Sequence, residues 1–202
     1  LAHVLDALDA WASDGTPPPP SRIPRRADGT LVDVATFRTQ FPSIPGIATP
    51  RLANEMPLLD FGTTPGVTDE PPRVVREVAY PVLVPAVDAD GNEVAGIRAP
   101  MVAAPLATYA GWNIRARGYG HGGLYEFTGS TIPFPDTDEE AAATGDPRPS
   151  ILSRYGSAEG YVAAIEAAAR DLVDQRLMLE EDVARCAAAA RDWSRPLHEV
   201  LL

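Results

Sequence analysis

The chain has 202 residues and is 45% hydrophobic, so it is long and apolar enough for one or two ordinary domains and is not disordered throughout. Its 17 basic residues are all arginines and stand against 28 acidic residues; the resulting net charge of −11 argues against nucleic acid as a partner. No run approaches the roughly 20 apolar residues that cross a bilayer, so we expect no membrane span. The single cysteine, Cys186, excludes an intrachain disulfide.

The first segment, residues 1–13, predicts an amphipathic helix that Asp14 and Gly15 end. Neither a polar capping residue nor an initiator methionine precedes its apolar stripe. We therefore expect the helix to begin outside the chain and its apolar face to need a partner. That face carries Leu1, Val4, Leu5, Leu8, Trp11 and Ala12.

A Pro-rich extended segment, residues 14–72, follows this helix. Its four consecutive prolines, 17–20, predict a stiff polyproline II spacer, because they fix φ and remove the backbone donors of a helix or sheet. Proline or glycine then recurs every few residues, so we expect no long regular element and a segment that wraps over another surface. The side chains predicted to anchor it are Phe37, Phe41, Ile44, Ile47, Leu58, Leu59 and Phe61.

The next region, residues 73–135, is predicted to contain a β-hairpin and a Gly-rich loop. Residues 73–87 are rich in β-branched side chains, and the sequence Asp-Ala-Asp-Gly-Asn at 88–92 predicts a turn before residues 93–98. The acidic turn imitates the opening of a calcium-binding loop. Glu93, however, stands where such a loop requires glycine, so we interpret the segment as a hairpin turn.

The last region, residues 136–202, carries the sequence signals of helices. We expect an αα-hairpin in which Ser157 caps the strongest amphipathic stripe of the chain and a second helix runs from about residue 180 to residue 193. Two shorter helices should precede it. Their signals are the capping-box-like pair Asp136 and Glu139, the stop at Gly145 and the cap at Ser150.

The Gly-rich run at residues 118–123 resembles two functional motifs. It matches G-x-G-x-x-G but lacks the preceding strand and following helix that dinucleotide binding requires. His121-Gly122-Gly123 is similar to the oxyanion loop of esterases, but no G-x-S-x-G follows it, so we interpret the run as a loop. None of the histidines, His3, His121 and His198, has a neighbour at metal-ligand spacing, and no metal site is predicted.

Trp112 and Asn113 are candidates for lining a pocket, because an apolar stretch delivers this aromatic ring and neutral amide together after Gly111. The alternative is that Trp112 fills the core while Asn113 closes the turn with its own side chain. His121 is a third pocket-lining candidate. No residue of the chain is assigned a catalytic role.

Short motifs in a fixed order extend through nearly the whole chain. Taken together, they resemble the bacterial alpha/beta hydrolase domain-containing family of serine hydrolases. The motifs are Val4–Trp11, Gly15–Ser21, Tyr80–Pro85, Val87–Arg98, Leu106–Asn113, Thr128–Ser130, Ile132–Phe134, Gly145–Arg148, Arg154–Ser157 and Tyr161–Val162.

The resemblance implies a fold of the α/β hydrolase type, of which this chain would be the C-terminal portion only. Locally we expect an α+β structure with a Pro-rich wrapping segment, a β-hairpin and C-terminal helices. Family members are about twice this length, and their nucleophilic serine, acid and histidine lie upstream of the helix that ends in Trp11. None of the three therefore corresponds to a residue of this chain.

On this basis, residues 1–13 would be the last helix of a hydrolase core, and the remainder an appendage around it. The expected partners are the missing N-terminal core and a small-molecule ester; no cofactor is expected, and the chain alone is expected to be inactive. The alternative is a stand-alone, non-catalytic binding or scaffold module. Cytoplasmic and exported locations both stay open.

Overall fold

The computed structural model describes residues 2–50, 56–125 and 127–192, which form seven helices and eight short strands. The helices are α1 (Ala2–Asp14), α2 (Val34–Gln40), α3 (Pro100–Ala103), α4 (Asp138–Thr144), α5 (Ile151–Tyr155), α6 (Ala158–Asp174) and α7 (Glu180–Asp192). The strands are β1 (Leu31–Asp33), β2 (Pro57–Asp60), β3 (Arg73–Ala79), β4 (Leu83–Pro85), β5 (Ala107–Ala110), β6 (Asn113–Ile114), β7 (Leu124–Tyr125) and β8 (Ser130–Pro133).

The strands pair in twos, and every pair is antiparallel. β1 pairs with β4, β2 with β3, β5 with β8 and β6 with β7. In the β5–β8 pair, Ala107 lies opposite Pro133 and Ala110 lies opposite Ser130. The predicted local α+β structure is therefore confirmed, and the described residues contain no parallel sheet.

The β-hairpin predicted over residues 73–98 is largely wrong. β3 pairs with β2 and β4 pairs with β1, so both partners come from the Pro-rich segment. Among the described residues, the turn at 88–92 closes with a single bridge, between Val87 and Glu93. The physical reason is that Pro81 and Pro85 lack the N–H donor a ladder needs, which confines β4 to three residues.

The Pro-rich segment forms short elements and no long one, as predicted. α2 begins where the Asp33 carboxylate accepts a hydrogen bond from the backbone N–H of Thr36, at 2.8 Å. Of the predicted anchors, Phe41 and Ile44 are buried. Leu59 and Phe61 are instead 37% and 50% exposed, because they lie in or beside the β2–β3 ribbon, and two strands alone bury little.

The short C-terminal helices begin close to their predicted caps. Thr137, rather than Asp136, caps α4, since its hydroxyl accepts from the backbone N–H of Glu140 at 3.2 Å. The carboxylate that folds back onto the helix start is that of Glu140, which accepts from the Asp136 N–H at 2.6 Å. The capping-box-like pair is therefore Thr137 and Glu140, one residue later than the predicted Asp136 and Glu139. Ser150 caps α5 as predicted, and Gly145 ends α4 at φ +75°.

α6 and α7 form the predicted αα-hairpin, and Ser157 caps α6. Exposed ion pairs join the two helices at Arg170–Glu180 and Arg191–Glu166. The hairpin covers an apolar core that α3 and β5 reach from the other side. This core comprises Ala104, Leu106, Tyr161 and Ile165, with Ile151, Tyr155, Cys186 and Ala190 packed against it.

The tail at residues 193–202, with Trp193 and His198, lies outside the described residues. Within the described ranges, no helix is both long and apolar enough to cross a membrane.

Replacing Gly160 tests the close approach of α5 to the first turn of α6. Alanine inside a helix is ordinarily more stable than glycine by about 0.5–1 kcal/mol. Here a Cβ would overlap the carbonyl oxygen of Tyr155, so we expect Gly160→Ala to lower the free energy of unfolding by about 1–3 kcal/mol in urea denaturation. Gly111→Ala is the control, because a Cβ there meets no atom within 4 Å. Equal effects of the two substitutions would contradict the proposed clash.

Candidate functional site

An apolar pocket of about 250 Å³ lies between α2, β4 and the turn that joins β5 to β6. The Glu93 carboxylate is the one charged group among its described lining residues. The pocket has the composition of a small-molecule site, apolar walls with few polar groups. We call it the aromatic pocket and define it by Val34, Phe37, Phe41, Val87, Trp112 and Leu124.

Three aromatic rings build one wall of the aromatic pocket. The Phe37 and Phe41 ring centroids are 5.6 Å apart, and those of Phe41 and Trp112 are 5.7 Å apart, both in tilted arrangements. Such tilted pairs are attractive beyond simple burial. The Ser130 hydroxyl donates to the Trp112 carbonyl at 2.8 Å and so fixes the turn that carries the indole.

The three side chains singled out in the sequence lie in different places. Trp112 is half-buried and lines the aromatic pocket. Asn113 lies in β6 opposite Tyr125, and its side-chain oxygen accepts from the N–H of Ile114 at 2.8 Å. His121 is exposed in the loop between β6 and β7. The structure thus brings Trp112 to the pocket and leaves the other two outside its lining.

The Gly-rich run forms the loop of the β6–β7 hairpin. The N–H of Gly122 donates to the carbonyl of Arg115, and that of Gly123 donates to the carbonyl of Gly120. An oxyanion hole needs N–H groups that are free to bind the substrate oxygen. These two N–H groups are already bonded to backbone carbonyls, so they do not form one. A strand, not a helix, follows the run, which removes the helix N-terminus that a dinucleotide phosphate requires.

No serine–histidine pair forms within the described residues. There, neither His3 nor His121 is hydrogen-bonded to a serine or to an acidic side chain, and no cluster of His, Cys, Asp and Glu is suited to a metal. Cys186 borders a second apolar cavity, of about 490 Å³, between α6 and α7. Burial, assisted by Asp182, raises the pKa of its thiol, so Cys186 stays protonated and unreactive at neutral pH.

A buried arginine lies behind the aromatic pocket. Arg148 is 2% exposed, and all five of its guanidinium N–H donors are used. Two go to the carboxylate of Asp146, at 2.9 and 2.6 Å, and one goes to the Thr108 hydroxyl at 2.8 Å. The remaining two bind the carbonyls of Ile132 and Pro133, both at 2.9 Å. Arg148 thereby joins β5, β8 and the α4–α5 connection.

The turn at 88–92 is attached to the same assembly. Arg154 holds both carboxylate oxygens of Asp90, and the Thr108 hydroxyl donates to the Asp90 carbonyl. The buried Asn92 side-chain amide donates to the Ala107 carbonyl at 3.1 Å and accepts from the N–H of Tyr109 at 2.7 Å. It thereby bonds the backbone of β5 as a neighbouring strand would. We call this assembly the polar hub: Arg148, Asp146, Thr108, Asp90, Arg154 and Asn92.

Charge in the polar hub is balanced locally. Burial alone would raise the pKa of the Asp146 carboxyl, but hydrogen bonds from the side chain and backbone of Arg148, with the charges of Arg148 and Arg154, outweigh it and hold that pKa below its ordinary 3.8. The guanidinium carbons of Arg148 and Arg154 lie 5.0 and 4.2 Å from the ring centroid of Phe134.

Sequence reasoning missed the polar hub and most of the aromatic pocket. Phe37 and Phe41, at i and i+4, were recognised as apolar anchors but not as one wall of a pocket. No local pattern marks Arg148 as buried, since its partner Thr108 is 40 residues away.

Gly91 is the joint between the polar hub and the aromatic pocket. It has φ +82°, and a Cβ there would lie 2.9 Å from Thr108 Cγ2 and 3.0 Å from Phe41 Cε2. We expect Gly91→Ala to lower the free energy of unfolding by about 2 kcal/mol or more, from the positive φ together with the clash. Gly96→Ala is the matched control, because Gly96 has φ +94° but no atom within 4 Å of an added Cβ. An equal loss in both variants, measured by thermal unfolding, would mean that packing at Gly91 is unimportant.

Arg148→Met tests the buried ion pair. The change leaves the Asp146 carboxylate buried and unpaired, so we expect the free energy of unfolding at pH 7 to fall by about 3–5 kcal/mol in urea denaturation. In the wild type, ionised Asp146 stabilises the fold above its unfolded-state pKa, and this contribution is lost as the pH falls through the lower folded-state pKa.

In Arg148→Met, the contribution of Asp146 to the free energy of unfolding should change with pH in the opposite direction from that in the wild type. Without Arg148, burial dominates and raises the pKa of Asp146, so the variant should regain stability relative to the wild type as the pH falls from 7 to 5. Arg73→Met is the control, because the Arg73–Asp60 pair is exposed and its loss should change the free energy of unfolding very little. A loss of that small size in Arg148→Met would contradict a central role for the pair.

Comparison with known proteins gives one match. Residues 1–188 match the family model described as "Alpha/beta hydrolase domain". No curated protein and no solved structure matches the chain significantly. Because the family model covers the bulk of the sequence, the chain belongs to the alpha/beta hydrolase domain family.

Proposed function

We propose that these 202 residues are one part of a serine ester hydrolase. They supply scaffold and an apolar wall of the substrate site, and the nucleophilic serine, the acid and the histidine come from a preceding part of the protein. In this proposal residues 1–13 are the last helix of the catalytic core. Residues 14–72 wrap that core, and residues 73–135 and 136–202 form the rest of an appendage.

The observation that carries the proposal is the exposed apolar face of α1. Val4, Leu5, Leu8 and Trp11 are 53%, 66%, 55% and 55% exposed. An amphipathic helix normally buries such a stripe, and covering each of these side chains would contribute roughly 1 kcal/mol or more. A hydrolase core is the partner that family membership favours.

The arrangement of the described residues supports a division of labour. They offer an apolar pocket but no serine–histidine pair, so their contribution to ester hydrolysis would be binding and exclusion of water. In the proposed reaction, a serine Oγ attacks the acyl carbon while histidine takes its proton. The alcohol then leaves, and water releases the acid from the acyl-enzyme.

Esterase assays test the proposal directly. With p-nitrophenyl butyrate, we expect no activity from the 202-residue chain and clear activity from the complete product of its gene. Replacing a serine in a G-x-S-x-G segment upstream of Leu1 by alanine should lower kcat by roughly 10⁶-fold. Activity in the isolated chain that disappears on His121→Ala would overturn the assignment.

Variants of α1 test its role as a docking helix. In the complete protein, Leu5→Glu with Leu8→Glu should abolish activity and release exposed apolar surface to a dye such as ANS. Asp6→Asn is the control, because Asp6 lies off the apolar stripe, and it should leave activity unchanged. An active Leu5→Glu, Leu8→Glu protein would contradict docking through this stripe.

A second candidate, a stand-alone binding or scaffold module, is favoured by the polar hub, which gives the chain an internally satisfied centre of its own. An isolated chain that is monodisperse and unfolds cooperatively, together with an inactive complete protein, would support this candidate over the hydrolase.

A further inference from the structure

We propose that the aromatic pocket binds one uncharged aromatic or branched apolar group of about ten carbon atoms and rejects carboxylates. If the chain belongs to an ester hydrolase, this group is the acyl or the alcohol portion of the ester. That assignment rests on the proposed function, whereas the ligand preference of the pocket does not.

Size is the first argument. A cavity of about 150 Å³ holds one benzene molecule, so the 250 Å³ of the aromatic pocket correspond to a bicyclic ring or a branched chain of about ten carbons. The Phe37, Phe41 and Trp112 rings offer flat contact surfaces at fixed spacing. Rigid apolar walls of this kind favour planar or compact groups over long flexible chains, which lose more conformational entropy on binding.

Pre-formation is the second argument. The pocket walls come from distant parts of the sequence, and the polar hub holds two of them in place. Thr108 and Asn92 hold β5 and the 88–92 turn, and Gly91 lets the Phe41 ring pack directly against that turn. A ligand therefore enters a site that needs little reorganisation, which favours affinity for a small molecule.

Charge is the third argument. No arginine is among the described lining residues, and the lining carries the exposed carboxylate of Glu93. Arg38 lies on α2 but borders a separate hollow with Pro42 and Ile47, and its guanidinium donates to the Pro50 carbonyl at 2.8 and 3.1 Å. A carboxylate in the aromatic pocket would thus lose water without meeting a cation among the described lining residues, and it would face Glu93.

Equilibrium dialysis of the complete protein with two probes tests the inference. The probes are 2-naphthalenemethanol, which is uncharged, and 2-naphthoate, which has the same rings and a carboxylate. We expect the alcohol to bind at least about tenfold more tightly at pH 7. Glu93→Gln should narrow this ratio, because removing the negative charge strengthens naphthoate binding more than it alters binding of the alcohol. Equal binding of both probes would overturn the charge argument.

Two substitutions locate the binding site. Val34→Phe fills the pocket and should weaken binding of the alcohol by at least about tenfold. Val94→Phe is the control, because Val94 is exposed and outside the pocket lining. Val34→Ala removes contacts between the pocket wall and the ligand and does not place a larger side chain in the pocket. It should also weaken binding of the alcohol while the circular dichroism spectrum stays unchanged. Unaltered binding of the alcohol in both Val34 variants would show that it does not bind in the aromatic pocket.

The outcome is separable from that of the proposed function. The alcohol cannot be hydrolysed, so its Val34-dependent binding stands even if the complete protein has no esterase activity. Conversely, if the complete protein is an active esterase but binds the alcohol equally well with and without the Val34 substitutions, the proposed function holds and this inference is wrong.

Discussion

The structure depends most on the buried ion pair of Arg148 and Asp146. A guanidinium removed from water is destabilising unless its donors are satisfied, and Arg148 meets this condition with five hydrogen bonds to four other residues. Those partners lie on β5, on β8 and before α5. The short strands β5 and β8, too small to be stable as an isolated pair, are thereby tied to the α4–α5 connection.

The polar hub draws its residues from four of the ten sequence motifs that resemble the family. Asp90 and Asn92, Thr108, Asp146 with Arg148, and Arg154 each fall within one of those motifs, and the structure brings all of them together. Those four motifs therefore maintain the β5–β8 region and the turn beside the aromatic pocket.

The two ends of the described chain differ in how completely they bury apolar surface. At the C-terminal end, α6 and α7 enclose a core that includes Leu106 and Ile165. At the N-terminal end, α1 keeps its apolar face in water, although its spacing is as regular as that of α6. The difference lies in what each helix packs against among the described residues, and it is the observation on which the proposal of a partner for α1 rests.

The sequence by itself determined the local features of this protein: the helix caps at Ser150 and Ser157, the stop at Gly145, the amphipathic stripes of α1 and α6, and Trp112 as a candidate pocket residue. Such signals act over about four residues, so they are legible without the fold. Only the tertiary structure decided strand pairing, the burial of Arg148 and the position of the aromatic pocket. The Arg148–Thr108 and Arg154–Asp90 contacts span 40 and 64 residues, and the stability of a buried charge depends on partners that no local pattern specifies.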